Sequence, residues 1–222
     1  IKEGLKQKAD GVEVDIRLTS DNKIVCHHDK TAHRTAGVDK KIVEMTLEEV
    51  KSLDCGSWFG KAWKGERVPE LKEILRALPR KKKIFIEVKT KEEIVPFLLE
   101  NIDREKVDVE CMTVISFFPE VIRKIKEIDP FIKCNLLIAF DYESKILQEI
   151  IDLLISTGAD GVGAQNHKKL NLDFIMALKE MRKTVHVWTV NSSLEAEEYL
   201  RIGIDSITTV SYTHLTLPTK QD

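Results

Sequence analysis

The chain has 222 residues, and its 35 Lys and Arg nearly balance 37 Asp and Glu, for a formal net charge of −2. That balance argues against a dedicated nucleic-acid binder or a polybasic membrane-surface protein, and no apolar run approaches the roughly 18 to 20 residues of a membrane span. With 42% apolar residues and only 10 Gly and 6 Pro, a sizeable core is available, and collagen-like and disordered classes are excluded.

The sequence opens at Ile1, without Met, inside an amphipathic helical pattern over residues 1–8, and is read as a fragment. A strand follows over Gly11–Leu18 and an extended run over Lys23–His28. The next stretch is loop-rich and holds short helices at Leu47–Leu53, with Thr46 as N-cap, and at Leu71–Leu78. Strands and helices then alternate: strand 84–89, helix 92–101, strand 111–117, helix 119–128, strand 131–139, helix 143–157, strand 161–164, helix 172–181, strand 185–190, helix 194–202 and a last run 206–209. From Val210 the composition turns Thr-rich and loses periodicity, so residues 210–222 are read as a non-native or read-through tail, leaving 1–209 as the domain.

The helices carry apolar sets at helical spacing, such as Ile146, Ile150, Leu153 and Leu154. The later strands are short, β-branched and mostly apolar, as in a parallel sheet covered on both faces. Similar joints, Ala9-Asp10-Gly11, Ala159-Asp160-Gly161 and Gly203-Ile204-Asp205, suggest repeated βα units. No Gly-x-Gly-x-x-Gly turn or phosphate-cradling Gly-Lys-Ser/Thr loop follows any strand. Seven strands and a leading helix predict a (β/α)8 TIM barrel lacking its first strand. The four cysteines, Cys26, Cys55, Cys111 and Cys134, have no paired or metal-finger spacing and are read as reduced thiols, which tips the expected location toward the cytoplasm.

Two strands carry charge where a buried strand should be apolar. In Gly11–Leu18, Val12, Val14, Ile16 and Leu18 line one face, and Glu13, Asp15 and Arg17 the other. In 84–89, Phe85, Glu87 and Lys89 share a face. A half-exposed antiparallel strand would explain the first pattern alone. The second favours carboxylates converging at the C-terminal mouth of a barrel. Three such groups repel one another and resist desolvation unless a cation neutralises them. Oxygen donors without Cys or paired His select a hard divalent ion, Ca²⁺ or Mg²⁺, so Glu13, Asp15 and Glu87 are the candidate ligands. Lys89 is placed to meet an anionic substrate oxygen. In Ile24-Val-Cys-His-His-Asp29, alternation puts His28 with Ile24 and Cys26, and His27 opposite. An imidazole beside a metal-bound phosphate suits proton transfer near neutral pH. His33, His167 and His186 lack such company and are read as structural. Trp58, Phe59 and Trp63 fit either a small core or a lip over the substrate, and Arg80–Lys83 reads as a solvated lead-in to a strand.

Gly11-Val-Glu-Val-Asp-Ile-Arg-Leu-Thr-Ser-Asp21, Ile24-Val-Cys-His-His-Asp-Lys-Thr-Ala-His-Arg-Thr35 and Ile86-Glu-Val-Lys89 together resemble the glycerophosphodiester phosphodiesterases. Leu53-Asp-Cys-Gly-Ser-Trp-Phe-Gly60 with Arg67-Val-Pro-Glu-Leu71, Ile115-Ser-Phe117 and Val187-Trp-Thr-Val-Asn191 extend the resemblance from residue 1 to about 209. It implies a (β/α)8 barrel with an insertion after the second strand, here about 29–70. It also implies hydrolysis of small-molecule glycerophosphodiesters to sn-glycerol 3-phosphate and an alcohol with one divalent cation. Glu13, Asp15 and Glu87 match its metal ligands, His28 one of its two catalytic histidines, Lys89 a phosphate contact, and Trp188 an aromatic at the substrate. On its own, Trp188 reads as core packing. The family's His-Arg-Gly strand and Glu-Asn-Thr helix start have no counterpart in these residues, so near-inactivity of this chain is the expectation. A non-catalytic barrel binding phosphate or a lipid headgroup, and another divalent-metal phosphoesterase barrel, are the competing readings.

Overall fold

The computed structural model describes residues 1–102, 108–140 and 146–210. In chain order they form α1 (Lys2–Lys6), β1 (Gly11–Leu18), β2 (Ile24–Cys26), β3 (Thr31–Ala32), α2 (His33–Ala36), β4 (Val38–Lys41), α3 (Leu47–Ser52), α4 (Leu71–Ala77), β5 (Lys83–Val88), α5 (Val95–Asn101), β6 (Met112–Ser116), α6 (Pro119–Ile128), β7 (Lys133–Ile138), α7 (Leu147–Thr157), β8 (Gly161–Gln165), α8 (Leu172–Glu180), β9 (Thr184–Trp188), α9 (Ser193–Arg201) and β10 (Ser206–Ile207). This is the expected alternation. The start of the helix expected from residue 143, and the tail 211–222, lie outside the described residues. Within 29–46 the structure adds β3, α2 and β4, which are too short to leave a periodic signal.

The chain divides into two compact units, residues 13–113 and residues 1–12 with the chain from Val114 onward. In the first, the strand order is β5-β1-β2, and β2 runs antiparallel to β1 with Ile16 opposite Cys26 and Leu18 opposite Ile24. A tight turn forces that reversal, because 19–23 is too short for a crossover. The Thr19 amide donates to the Lys23 carbonyl at 2.9 Å, and the Thr19 hydroxyl donates to Asp21 at 2.6 Å. Along β1, Val12, Val14, Ile16 and Leu18 are buried, while Glu13, Asp15 and Arg17 are only half-buried. The segment between β2 and α4 packs Ala32, Ile42, Met45, Val50 and Val68 against Val25 of β2 in an aliphatic core. Beside it α3 begins at a capping box, the Glu49 amide donating to Thr46 Oγ1 and the Thr46 amide to Glu49 Oε2.

In the second unit the order is β10-β9-β8-β7-β6, and the β7–β8, β8–β9 and β9–β10 pairs are parallel. Helical crossovers α7, α8 and α9 make those parallel pairs possible. Val162, Ala164, Val185 and Val187 are fully buried, as expected for strands covered on both faces. Gly161 is required by close packing, since a Cβ there would lie 2.1 Å from Thr184 Oγ1 and 2.2 Å from the Thr184 carbonyl oxygen.

The recurrent aspartate of the helix-to-strand joints has a common job. Asp160 Oδ2 accepts from the Cys134 amide at 2.8 Å and pairs with Lys126 at 2.9 Å. Asp205 Oδ2 likewise accepts from the Val185 amide at 2.6 Å and pairs with Lys179 at 2.5 Å. Each carboxylate satisfies an amide at the start of the preceding strand and ties it to the helix before that strand.

His186 is the structural histidine expected. It is 1% exposed, with Nδ1 2.7 Å from Ser206 Oγ and Nε2 2.9 Å from Thr208 Oγ1. Burial pushes its pKa from 6.5 down to about 4. The unfolded chain therefore binds this proton first as pH falls, so the stability that neutral His186 provides is complete above 6.5 and is lost between 6.5 and 4. The loss amounts to about 3 kcal/mol. Urea unfolding midpoints of the wild type should fall over that window, and the fall should be shallower in His186→Gln.

Candidate metal centre and acid–base histidine

Strand β1 presents Glu13 and Asp15 from its polar face, β5 presents Glu87, and Lys89 follows one residue past the end of β5. One oxygen from each of Glu13, Asp15 and Glu87 lies within 4.8 Å of the others. The structure thus brings the three carboxyls proposed from the sequence into one cluster. Lys89 Nζ sits 2.6 Å from Glu87 Oε1 and 3.2 Å from Asp15 Oδ1. One ammonium leaves the cluster short of positive charge. Glu13 Oε1 is buried and has no hydrogen-bond partner. Burial, then the charges of Asp15 and Glu87, push the Glu13 carboxyl up to about 8. Burial also raises Glu87 against the opposing pull of Lys89. Burial works to lower the Lys89 pKa, but Glu87 and Asp15 outweigh it and hold the ammonium charged.

An orphaned buried oxygen in an all-oxygen set is what a hard divalent cation would satisfy, so these residues fit Ca²⁺ or Mg²⁺ and do not resemble a zinc site. Among the described residues this is the only such cluster. The cysteines offer no alternative chemistry: all four are free, and burial pushes the thiols of Cys26 and Cys134 up to about 12.

His28 follows β2, and its side chain is 62% exposed, with Nδ1 2.8 Å from Asp29 Oδ1. Its charge, when protonated, acts on Glu87 and so places it in the same neighbourhood. β2 ends at Cys26, so the expected alternation does not reach the two histidines, and His27 has a different environment from His28. It is buried, with Nδ1 2.9 Å from the Asp29 carbonyl oxygen and Nε2 3.1 Å from Thr35 Oγ1, and burial lowers its pKa. Trp188, at the end of β9, is half-buried. Its ring meets Phe117 edge-to-face at 5.6 Å, and Nε1 donates to the Gly163 carbonyl at 2.8 Å. Trp58, Phe59 and Trp63 are not a core: they are 50%, 69% and 40% exposed, and Phe59 meets each tryptophan edge-to-face.

Arg17 was legible only as a charge on the right face of β1. Its guanidinium donates to the His28 carbonyl from Nη2 at 2.8 Å and to the Lys89 carbonyl from Nη1 at 3.2 Å. It thereby fastens the backbones that carry both candidate side chains, His28 and Lys89.

Residues 1–210 match the model of the glycerophosphoryl diester phosphodiesterase family. The chain is 29% identical over 216 residues to a glycerophosphodiester phosphodiesterase of Caldanaerobacter subterraneus subsp. tengcongensis, covering 94% of this chain and 85% of that one. It is 27% identical over 223 residues to a glycerophosphodiester phosphodiesterase of Bacillus subtilis, covering 92% of this chain and 74% of that one. Among solved structures, an Oleispira antarctica phosphodiesterase in complex with the product sn-glycerol-3-phosphate superposes with a TM-score of 0.80 at 22% identity, covering 95% of this chain and 85% of that one. That likeness shows the fold, an α/β, mostly parallel architecture in accord with the barrel class expected. The ordered strand motifs, the clustered carboxyls and the match over nearly the whole chain agree, and the chain belongs to the glycerophosphoryl diester phosphodiesterase family.

Proposed function

We propose that the protein hydrolyses small-molecule glycerophosphodiesters to sn-glycerol 3-phosphate and a free alcohol, using one divalent cation. The observation that carries this reading is the convergence of Glu13, Asp15 and Glu87, with a buried unpartnered oxygen, in a member of this family. A divalent ion held there would polarise a phosphoryl oxygen and offset charge that develops on it. Lys89, charged and close to the carboxyls, pairs with an anionic phosphate oxygen as the substrate enters. His28 transfers a proton at Nε2, the ring nitrogen that does not face Asp29. Water adds to phosphorus, the phosphorus–oxygen bond to the alcohol breaks, and the alcohol leaves with a proton. The resemblance places the second acid–base group in a His-Arg-Gly strand.

The test couples glycerol 3-phosphate release to a dehydrogenase, with glycerophosphocholine and glycerophosphoethanolamine as substrates and Ca²⁺, Mg²⁺ or chelator present. It uses the 222-residue chain and a form preceded by a His-Arg-Gly strand and Glu-Asn-Thr helix start. Metal-dependent release, faster in the extended form, supports the reading. A folded, metal-binding extended form that releases no product sinks it and leaves the binding-barrel alternative.

The resemblance also assigns Trp188 to the substrate. If that role holds, Trp188→Phe should raise KM several-fold with little change in kcat, whereas a purely packing role would lower the melting temperature and leave KM alone.

A further inference from the structure

We propose that Arg34, steadied by Trp58, is a positioning residue for His28: it orients Asp29 so that His28 keeps its proton on Nδ1 and presents Nε2 to the reaction. The proposal rests on the reading of His28 as the acid–base group.

Four groups form an unbroken chain. His28 Nδ1 lies 2.8 Å from Asp29 Oδ1, and Asp29 Oδ2 lies 2.5 Å from Arg34 Nε. The Arg34 guanidinium carbon stands 4.9 Å from the centroid of the Trp58 ring. Trp58 is itself anchored, its Nε1 donating to the Cys55 carbonyl at 2.9 Å and its ring meeting Phe59 edge-to-face.

An ionised carboxylate only accepts, so the nitrogen facing Asp29 must carry the proton. Asp29 is ionised at any working pH, since hydrogen bonding to Arg34 first, and then to His28, holds its carboxyl down to about 2 despite some burial. The two Asp29 oxygens are divided, one to each partner, so Arg34 fixes the carboxylate plane that His28 meets. Free histidine prefers its proton on Nε2, and an exposed imidazole would revert to that form if Asp29 swung away. This division of labour also explains an otherwise puzzling exposed tryptophan. Trp58 is not among the residues of the aliphatic core of its segment, yet its face covers the guanidinium that pairs with Asp29.

The test labels histidine nitrogen in the full 222-residue chain and reads ring tautomers by two-bond proton–nitrogen NMR, with the His28 signal assigned by its loss in His28→Gln. Wild type should show His28 protonated on Nδ1. Arg34→Gln should give a mixed tautomer, with kcat about tenfold lower and KM for glycerophosphocholine within twofold in the form that turns over. Arg34→Lys, which keeps charge but loses the planar fork, should fall between the two, and Trp58→Leu should shift the tautomer in the same direction by less. Arg34 and Trp58 are surface residues, so these variants remain folded. A fixed Nδ1 tautomer in both Arg34→Gln and Trp58→Leu, or a rise in KM with kcat unchanged, would overturn the proposal while leaving an active hydrolase. No product from any form overturns the hydrolase reading, and the catalytic purpose of the chain with it, whatever tautomer is seen.

Discussion

In the form extended by the His-Arg-Gly strand, Glu87→Gln is expected to lower metal-dependent glycerol 3-phosphate release by about 10³-fold, because it removes a full negative charge from the cluster while keeping its shape. Chelator should reduce the wild type to the same floor and leave the variant where it is. The same cluster predicts an opposite effect on stability. Without metal, Glu13, Asp15 and Glu87 crowd within 4.8 Å around a single ammonium, and one Glu13 oxygen is buried without a partner. Glu13→Gln removes the charge but keeps a polar atom at the unpartnered position, so above about pH 8, where the wild-type carboxyl is ionised, the variant should melt above the wild type in chelator. Addition of Ca²⁺ or Mg²⁺ should then raise the melting temperature of the wild type and leave Glu13→Gln unmoved. A variant that keeps both the turnover and the metal-induced shift would show that the ion binds elsewhere.

In the same extended form, His28→Ala is expected to cost about 10² to 10³-fold in kcat, on the order typical of a general acid or base. Its distinguishing feature is what it spares. His28 is no part of the carboxyl cluster and its side chain is largely exposed, so the metal-induced rise in melting temperature should persist at full size. His27→Ala inverts that pattern. It deletes a buried ring bonded to the Asp29 carbonyl and the Thr35 hydroxyl, and should destabilise before it slows. Loss of turnover in His27→Ala at undiminished stability, with His28→Ala active, would reverse the two assignments.

The sequence was most readable where periodicity is long. Strand β1 and helix α6 occupy the expected 11–18 and 119–128, because a period of two and a period of 3.6 each run for eight or more residues there. The segment 29–46 was read as loop because its strands span two and four residues, too few to establish alternation. The carboxyl cluster was legible for the same reason as β1: charges at every second position have to share a face. The contacts of Arg17 and Arg34 were not. Whether a guanidinium reaches a carbonyl 72 residues away depends on where β1 and β5 are laid beside each other, and no local pattern encodes that. The three aromatics of 58–63 show the complementary limit, since composition alone cannot tell a core from an exposed platform.

The two faces of β1 have a consequence for how the protein can fail. Ile16 and Leu18 anchor the unit from one side, and Glu13 and Asp15 project from the other, so both depend on a single choice of register. A slip of one residue would turn the carboxylates into the core and the aliphatics outward, and would be rejected by the energy of burial long before any substrate arrived. Quality control over the geometry of the carboxyl cluster is therefore exercised during folding, by hydrophobic sorting, and misregistered molecules would be lost to aggregation or proteolysis instead of persisting with a misplaced cluster.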